Sequence, residues 1–299
     1  MPDAWDAGVR GRNETTFACV VVQIKHVLVV AFLLSTVVML GPAQAQVAIP
    51  NFWDPRVRTE KPDLTGLRTV RFLVDDEFPP LHFAGPDGVP TGFSVELARA
   101  ACETLAITCT VQARRFDTLL DALAERHGDI VAAAVPINAD LRQRFAVTSP
   151  YFRIPARFAV NLGRNTPDPQ GKAVKGRTIA VLAGTAHEAY ANAFMSGATI
   201  RPFQDLPAAE GALKGGEVDY LFADGLSLSL WVGGTGSGDC CALRGGPYLE
   251  SRFFGEGVGF VLRKDDDNLR RAFDFALQRL WDEGKYAEIY LRFFPVSPY

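Results

Sequence analysis

Histidine and cysteine are scarce in this chain. Four His and five Cys occur in 299 residues. The cysteines lack the C-x2-C spacing of a zinc site, so a structural metal is not expected. No cluster of Lys or Arg rises above the background, and the formal net charge is only -3. That composition excludes the basic footprint of a nucleic-acid binder. No nucleophile–base pair stands out, and no metal or cofactor motif, so no catalytic residue, metal or cofactor is expected. No short-period repeat is visible. The apolar run at residues 27–40 is too short to span a bilayer comfortably. What remains is ordinary globular composition, 48% apolar and 22% charged. The length suits one large domain or two modest ones.

The amino terminus differs from the rest. Lys25 and His26 precede the apolar run, and Ala43-Gln44-Ala45 follows Gly41 and Pro42. A basic flank, a short apolar stretch and an A-x-A site read as a secretory signal cut after Ala45. Cys19 leaves with residues 1–45. Cys102, Cys109, Cys240 and Cys241 stay, an even number for an oxidising compartment. A local Cys102–Cys109 bridge fits a helix end beside the next strand. The adjacent Cys240 and Cys241 leave three options open: a bridge to each other, pairing elsewhere, or free thiols.

From residue 70 the text alternates between short apolar runs and helical periods. Residues 46–65 are Pro-rich and read as a surface arm. Residues 70–74 read as a strand and "GPDG" as a turn. Ser94 is placed to cap a helix whose apolar positions Ala98, Ala101, Cys102 and Leu105 recur at i, i+3, i+4 and i+7. Residues 130–135 form a continuous apolar run, as in a parallel strand buried on both faces. The same alternation restarts at 178–182, and two helices close the chain near 268–281 and 286–294. Such alternation means an α/β protein with mainly parallel sheets, and the break near 157–161 suggests two lobes.

Several ordered segments carry a resemblance. They are "DDEFPPLHF…DGVPTGFSVELA", "FDTLLDAL" with "GDIVAA", "LRQRFAVTSPYF", "KGRTIAVLAGTAHEAYAN", "GGEVDYLFAD" and "FFGEGVGFVLRKDDDNLRRAFDFALQRLWDEGKY". Together they resemble the extracellular solute-binding proteins of bacterial polar-amino-acid ABC transporters, from about residue 67 to 294. The six residues between Cys102 and Cys109 also resemble the bridge of the lysine/arginine/ornithine and histidine binders. The resemblance implies a two-lobed, type II periplasmic-binding fold on a two-strand hinge. Lobe 1 would be 66–155 plus 255–299 and lobe 2 would be 156–254. It implies a small ligand, an amino acid or analogue, an inner-membrane ABC permease as partner, a periplasmic location and a monomer.

The resemblance also assigns roles. Arg142 would take the ligand carboxylate, since a guanidinium matches it bidentately and stays charged. Arg144, two residues on, is the weaker choice. Gly184, Thr185, Ala186 and His187 stand at a helix start, where N–H groups attract anions. Asp224 would meet the ligand ammonium, or else cap the next helix. Phe78 and Phe116 would enclose the side chain, and Asp75 would hold a cationic tip. Family members usually carry hydroxyl-bearing residues where Ala133, Ala134 and Pro136 stand, so this pocket offers fewer donors. Two further readings follow. A cyclohexadienyl-dehydratase-like enzyme could use His187 or Glu188 as an acid, although Glu188 should point away if the helix starts at Ala186. An accessory protein of a quinoprotein dehydrogenase is the other.

Overall fold

The structure is a computed structural model whose described residues are 49–53, 60, 62–65 and 69–299. The secretory leader expected at 1–45 and part of the Pro-rich segment lie outside them.

Two five-stranded sheets build two lobes. In lobe 1 the order is β5-β1-β6-β13-β7, where β1 is Thr69–Val74, β5 Thr108–Ala113, β6 Ile130–Val131, β7 Phe145–Val147 and β13 Val261–Arg263. In lobe 2 it is β10-β9-β11-β8-β12, with β8 Ala156–Asn161, β9 Thr178–Leu182, β10 Thr199–Phe203, β11 Tyr220–Asp224 and β12 Cys241–Tyr248. A small meander of β2 (Glu77–Phe78), β3 (His82–Ala84) and β4 (Pro90–Thr91) hangs from the end of β1.

The α/β, two-lobed expectation holds, and the pairing refines it. β1 lies parallel to β5 and β6, and β9 parallel to β10 and β11. β13 and β8 run antiparallel to both of their neighbours. Each sheet is therefore half parallel rather than mainly so. A strand that carries the chain between lobes enters its sheet from the hinge end, so it opposes the βαβ strands already there.

Nine helices are present among the described residues, and three of them cover lobe 1 on one side. α1 (Phe93–Leu105) packs on α8 (Asp267–Asp282) and α9 (Lys285–Phe293). The buried positions of α8 are Leu269, Ala272, Phe273, Ala276, Leu277 and Leu280, one stripe at helical spacing. Phe93 lies between the rings of Tyr286, Tyr290 and Phe294. The disulfide Cys102–Cys109 forms, with Cα atoms 6.3 Å apart, and ties the end of α1 to β5. Cys240 and Cys241 are bridged to each other.

Three local expectations change. Ser94 does not cap α1; it is fully buried in the first turn, and the cap is Gly92. Gly92 has φ of 118°, and a Cβ there would stand 2.5 Å from the Leu81 carbonyl oxygen. The run 130–135 stays buried except at the partly buried Ala134, but leaves the ladder after Val131. Its continuation turns at once, with Val135 N–H donating to Ala133 O. The Pro-rich arm is not wholly superficial either. Trp53 is only 8% exposed and packs against Trp281 and Tyr286, with ring centroids 5.3 and 5.1 Å away.

The chain crosses between lobes after β7 and again before β13. At the crossing the two segments pair antiparallel: Val258 N–H donates to Phe152 O, and Tyr151 N–H to Val258 O. Gly257, with φ of 122°, permits this approach, because a Cβ would fall 2.6 Å from Phe152 O.

Candidate functional site

The candidate residues gather at the carboxyl ends of the parallel strands, where ligands enter open α/β sheets. In lobe 1, Asp75 follows β1 and Ala134 follows β6. In lobe 2, Thr185 to His187 follow β9, and Asp224 ends β11.

Asp75 has a close neighbour inside its own lobe. It is 6% exposed, and its Oδ1 lies 2.9 Å from Nδ1 of His82, which is 1% exposed. The two atoms are close, but neither completes a hydrogen bond within the protein. The other ring nitrogen is committed: Ala134 N–H donates to His82 Nε2 at 2.9 Å. A backbone donor there requires a lone pair, so the ring proton sits on Nδ1, toward Asp75. Phe78 covers the same imidazole, 5.6 Å between ring centroids. His82 joins the two strand ends of lobe 1, and the sequence reading missed it. The available signal was a histidine inside the apolar "PLHF".

Phe116 lies apart from this group. It opens a short 3-10 turn (Phe116–Thr118), is 49% exposed, and lines a cavity of about 450 Å3 with Leu120, Val135, Pro136 and Arg144. The stretch from Ala134 to Pro136 links this cavity to the His82 cluster.

Arg142 is not at the end of a buried strand. Asn138 caps α3 (Ala139–Arg144) by accepting from Leu141 N–H, and Arg142 projects from that helix with its side chain 44% exposed. Its Nη2 and Nε both donate to Glu256 Oε2, at 2.5 and 3.1 Å. Arg144 is more exposed and lies 3.7 Å from Asp121. Glu256 follows α7 (Ser251–Phe254) and Gly255, on the segment returning to lobe 1. The sequence marked it only as a single charge within "FFGEGVGF".

Lobe 2 repeats the pattern of groups satisfied from within. α4 is Ala186–Phe194, with Thr185 as its cap. The Thr185 hydroxyl donates to Leu182 O at 2.7 Å and accepts from Glu188 N–H. Glu188 does not point away; its carboxylate folds back and takes Gly184 N–H at 2.7 Å. A carboxylate of the chain itself thus meets the positive end of this helix. Asp224 caps α6 (Gly225–Gly233), accepting from Ser227 N–H at 2.9 Å and from the Ser227 hydroxyl at 2.6 Å. His187 is its neighbour. His187 lies tilted against Phe254 at 5.2 Å and meets Phe222 edge-on at 5.8 Å. Burial among these rings pushes the imidazole below its ordinary pKa, and the neighbouring Asp224 carboxylate pulls it partly back.

Two lobes with polar and aromatic groups at their strand ends, on a paired two-segment hinge, define a two-lobed solute receptor. The family follows from comparison. Residues 70–296 match the model of the bacterial extracellular solute-binding proteins, family 3, and the chain belongs to that family. It is 30% identical over 240 residues to the L-arginine-binding protein of Pseudomonas aeruginosa, covering 80% of this chain and 92% of that one. It is 27% identical to the lysine/arginine/ornithine-binding periplasmic protein of Escherichia coli K12, covering 77% and 89%. Among solved structures it resembles the second substrate-binding domain of Lactococcus lactis GlnP in open conformation. That match has a TM-score of 0.67 and 23% identity, and covers 77% of this chain and 96% of the other.

Proposed function

We propose that this protein is an exported periplasmic receptor that captures a small polar ligand, an amino acid or a related compound, between its lobes. It would work as a monomer and deliver the ligand to an inner-membrane ABC permease. Its role is binding without turnover. The observation that supports this reading is that Asp75, Phe78 and His82 come just after β1 in lobe 1 while Thr185, His187 and Asp224 come at the ends of β9 and β11 in lobe 2, in two lobes linked by a paired hinge. Relatives named for arginine, lysine/arginine/ornithine and histidine support the amino-acid-like class. The word periplasmic in two of those names agrees with the secretory reading of residues 1–45.

Residues proposed to meet the ligand from lobe 1 are Asp75, Phe78, Phe116, Ala134 and Arg142. From lobe 2 they are Thr185, Ala186, His187 and Asp224. The enzyme alternative is disfavoured because Glu188, one of its two acid candidates, is committed to Gly184 N–H. The test is native mass spectrometry of protein purified from the periplasmic fraction. One small molecule, released unchanged on denaturation, is the expected result. Turnover of prephenate or arogenate by the purified protein would instead establish an enzyme.

A further inference from the structure

We infer that residues 294–299 form a strap across the hinge, which holds the two lobes in the arrangement of this structure and so regulates ligand capture. The inference rests on the receptor reading above and adds a control of its lobe motion. After α9 the chain is anchored in lobe 1. Phe294 is 1% exposed and packs on Phe93 and Phe152, with ring centroids 5.2 and 5.1 Å away. From there the chain reaches the hinge. The Tyr299 hydroxyl donates to Arg153 O and accepts from Arg153 N–H, on the first segment that leaves lobe 1. Its ring lies 6.0 Å from Phe52 and 6.2 Å from Phe152.

Lobe 2 is shaped to receive the strap. Pro298 is buried, and its carbonyl accepts from Nη1 of Arg157, on β8, at 3.2 Å. Arg157 is 8% exposed, and burial pushes its guanidinium below the ordinary pKa. A buried cation needs acceptors, and its Nε has none among the described residues. The strap also lies against both ends of α6. A Cβ at Gly225 would fall 2.9 Å from Pro298 O, and one at Gly233 2.9 Å from Val296 Cγ2. Glycine at both helix ends leaves the room the strap occupies. Gly225 opens the helix that Asp224, a proposed ligand contact, caps. Closure about a hinge turns one lobe against the other. Such a turn must drag α6 along the strap or pull Pro298 O from Arg157, which strips a buried charge of a partner. The strap therefore weights the present arrangement. Apparent affinity scales with the fraction of molecules in the binding-competent arrangement, so the strap tunes capture without touching the ligand.

The experiment measures the lobes with no ligand present, by spin-label distance spectroscopy on protein lacking residues 1–45. Labels go on Lys264→Cys in lobe 1 and Asn192→Cys in lobe 2, both exposed, with the two native disulfides kept oxidised. Tyr299→Phe removes the tie to Arg153 and keeps the ring packing. Gly233→Leu fills the seat of Val296 at an exposed helix end, so both changes should fold. In the doubly substituted protein a second interlobe distance, absent or minor in the parent, should rise about tenfold in population. A chain shortened to end at Pro295 should show the same second distance. A rise in the shortened chain alone would keep the strap and place its hold in the Pro298–Arg157 contact. Distance distributions that superimpose for all three proteins overturn the strap. The receptor reading then stands untouched, because the co-purified molecule tests it separately.

Discussion

Asp224 caps a helix and is proposed to meet the ligand, and substitution can separate the two roles. Asp224→Ala removes the acceptor for Ser227 N–H and for the Ser227 hydroxyl. Loss of such a cap costs about 0.5–2 kcal/mol. For a chain of this size that is a fall of roughly 2–4 °C in Tm per kcal/mol. Asp224→Asn keeps an acceptor for the Ser227 N–H, and the serine hydroxyl can rotate to accept from the amide. Its stability should lie within about 0.5 kcal/mol of wild type. The charge, however, is gone. A hydrogen bond from a charged ligand group is worth about 1.5–3 kcal/mol, or roughly one to two decades in Kd. The assays are urea denaturation for stability and calorimetry with the co-purified ligand for binding. The expected pattern is a stable Asn variant that binds roughly 10- to 100-fold more weakly, and an Ala variant impaired in both. An Asn variant with wild-type affinity would reduce Asp224 to a capping residue. An Asn variant as unstable as the Ala variant would show that its charge, not its acceptor, holds α6.

Replacing Cys102 and Cys109 by Ser frees a short loop, and chain entropy puts the cost at about 2.5 kcal/mol; a urea midpoint unchanged from wild type would contradict this. Trp53→Ala removes an aromatic that is 8% exposed between Trp281 and Tyr286, and the loss should be about 3 kcal/mol, read from denaturation at constant m-value. His187 gives a pH signature. Its folded-state pKa lies below the ordinary 6.5, so above pH 6.5 the ring is neutral in both the folded and the unfolded chain. As pH falls below that value the unfolded chain takes up the proton first, and stability declines. His187→Gln should remove that share of the decline below pH 6.5, and identical pH profiles for the two proteins would exclude it.

The sequence by itself determined the main alternation of strands and helices, though not β12 or the helix α3. Helical spacing in α8 and the apolar runs of β1, β9 and β11 are local signals that tertiary context did not override. The Cys102–Cys109 bridge was legible for the same reason, since both residues lie on adjoining elements. The Pro-rich segment was misread as superficial, because a surface arm and a segment with one buried tryptophan have the same local text. Ser94 was misread as a cap, because the steric demand at Gly92 comes from the Leu81 carbonyl, which belongs to the preceding meander.

The candidate site was legible as positions but not as partnerships. Asp75, Ala134, Thr185, His187 and Asp224 do reach the strand ends, because strand boundaries are set locally. Which donor meets which acceptor depends on residues far apart in the chain. His82 lies 52 residues from Ala134, and Arg142 lies 114 from Glu256. A hydrogen bond is a short-range contact, so nothing in the sequence near Arg142 reveals that Glu256 already occupies it. Folding settled that, by bringing the return segment from lobe 2 against α3.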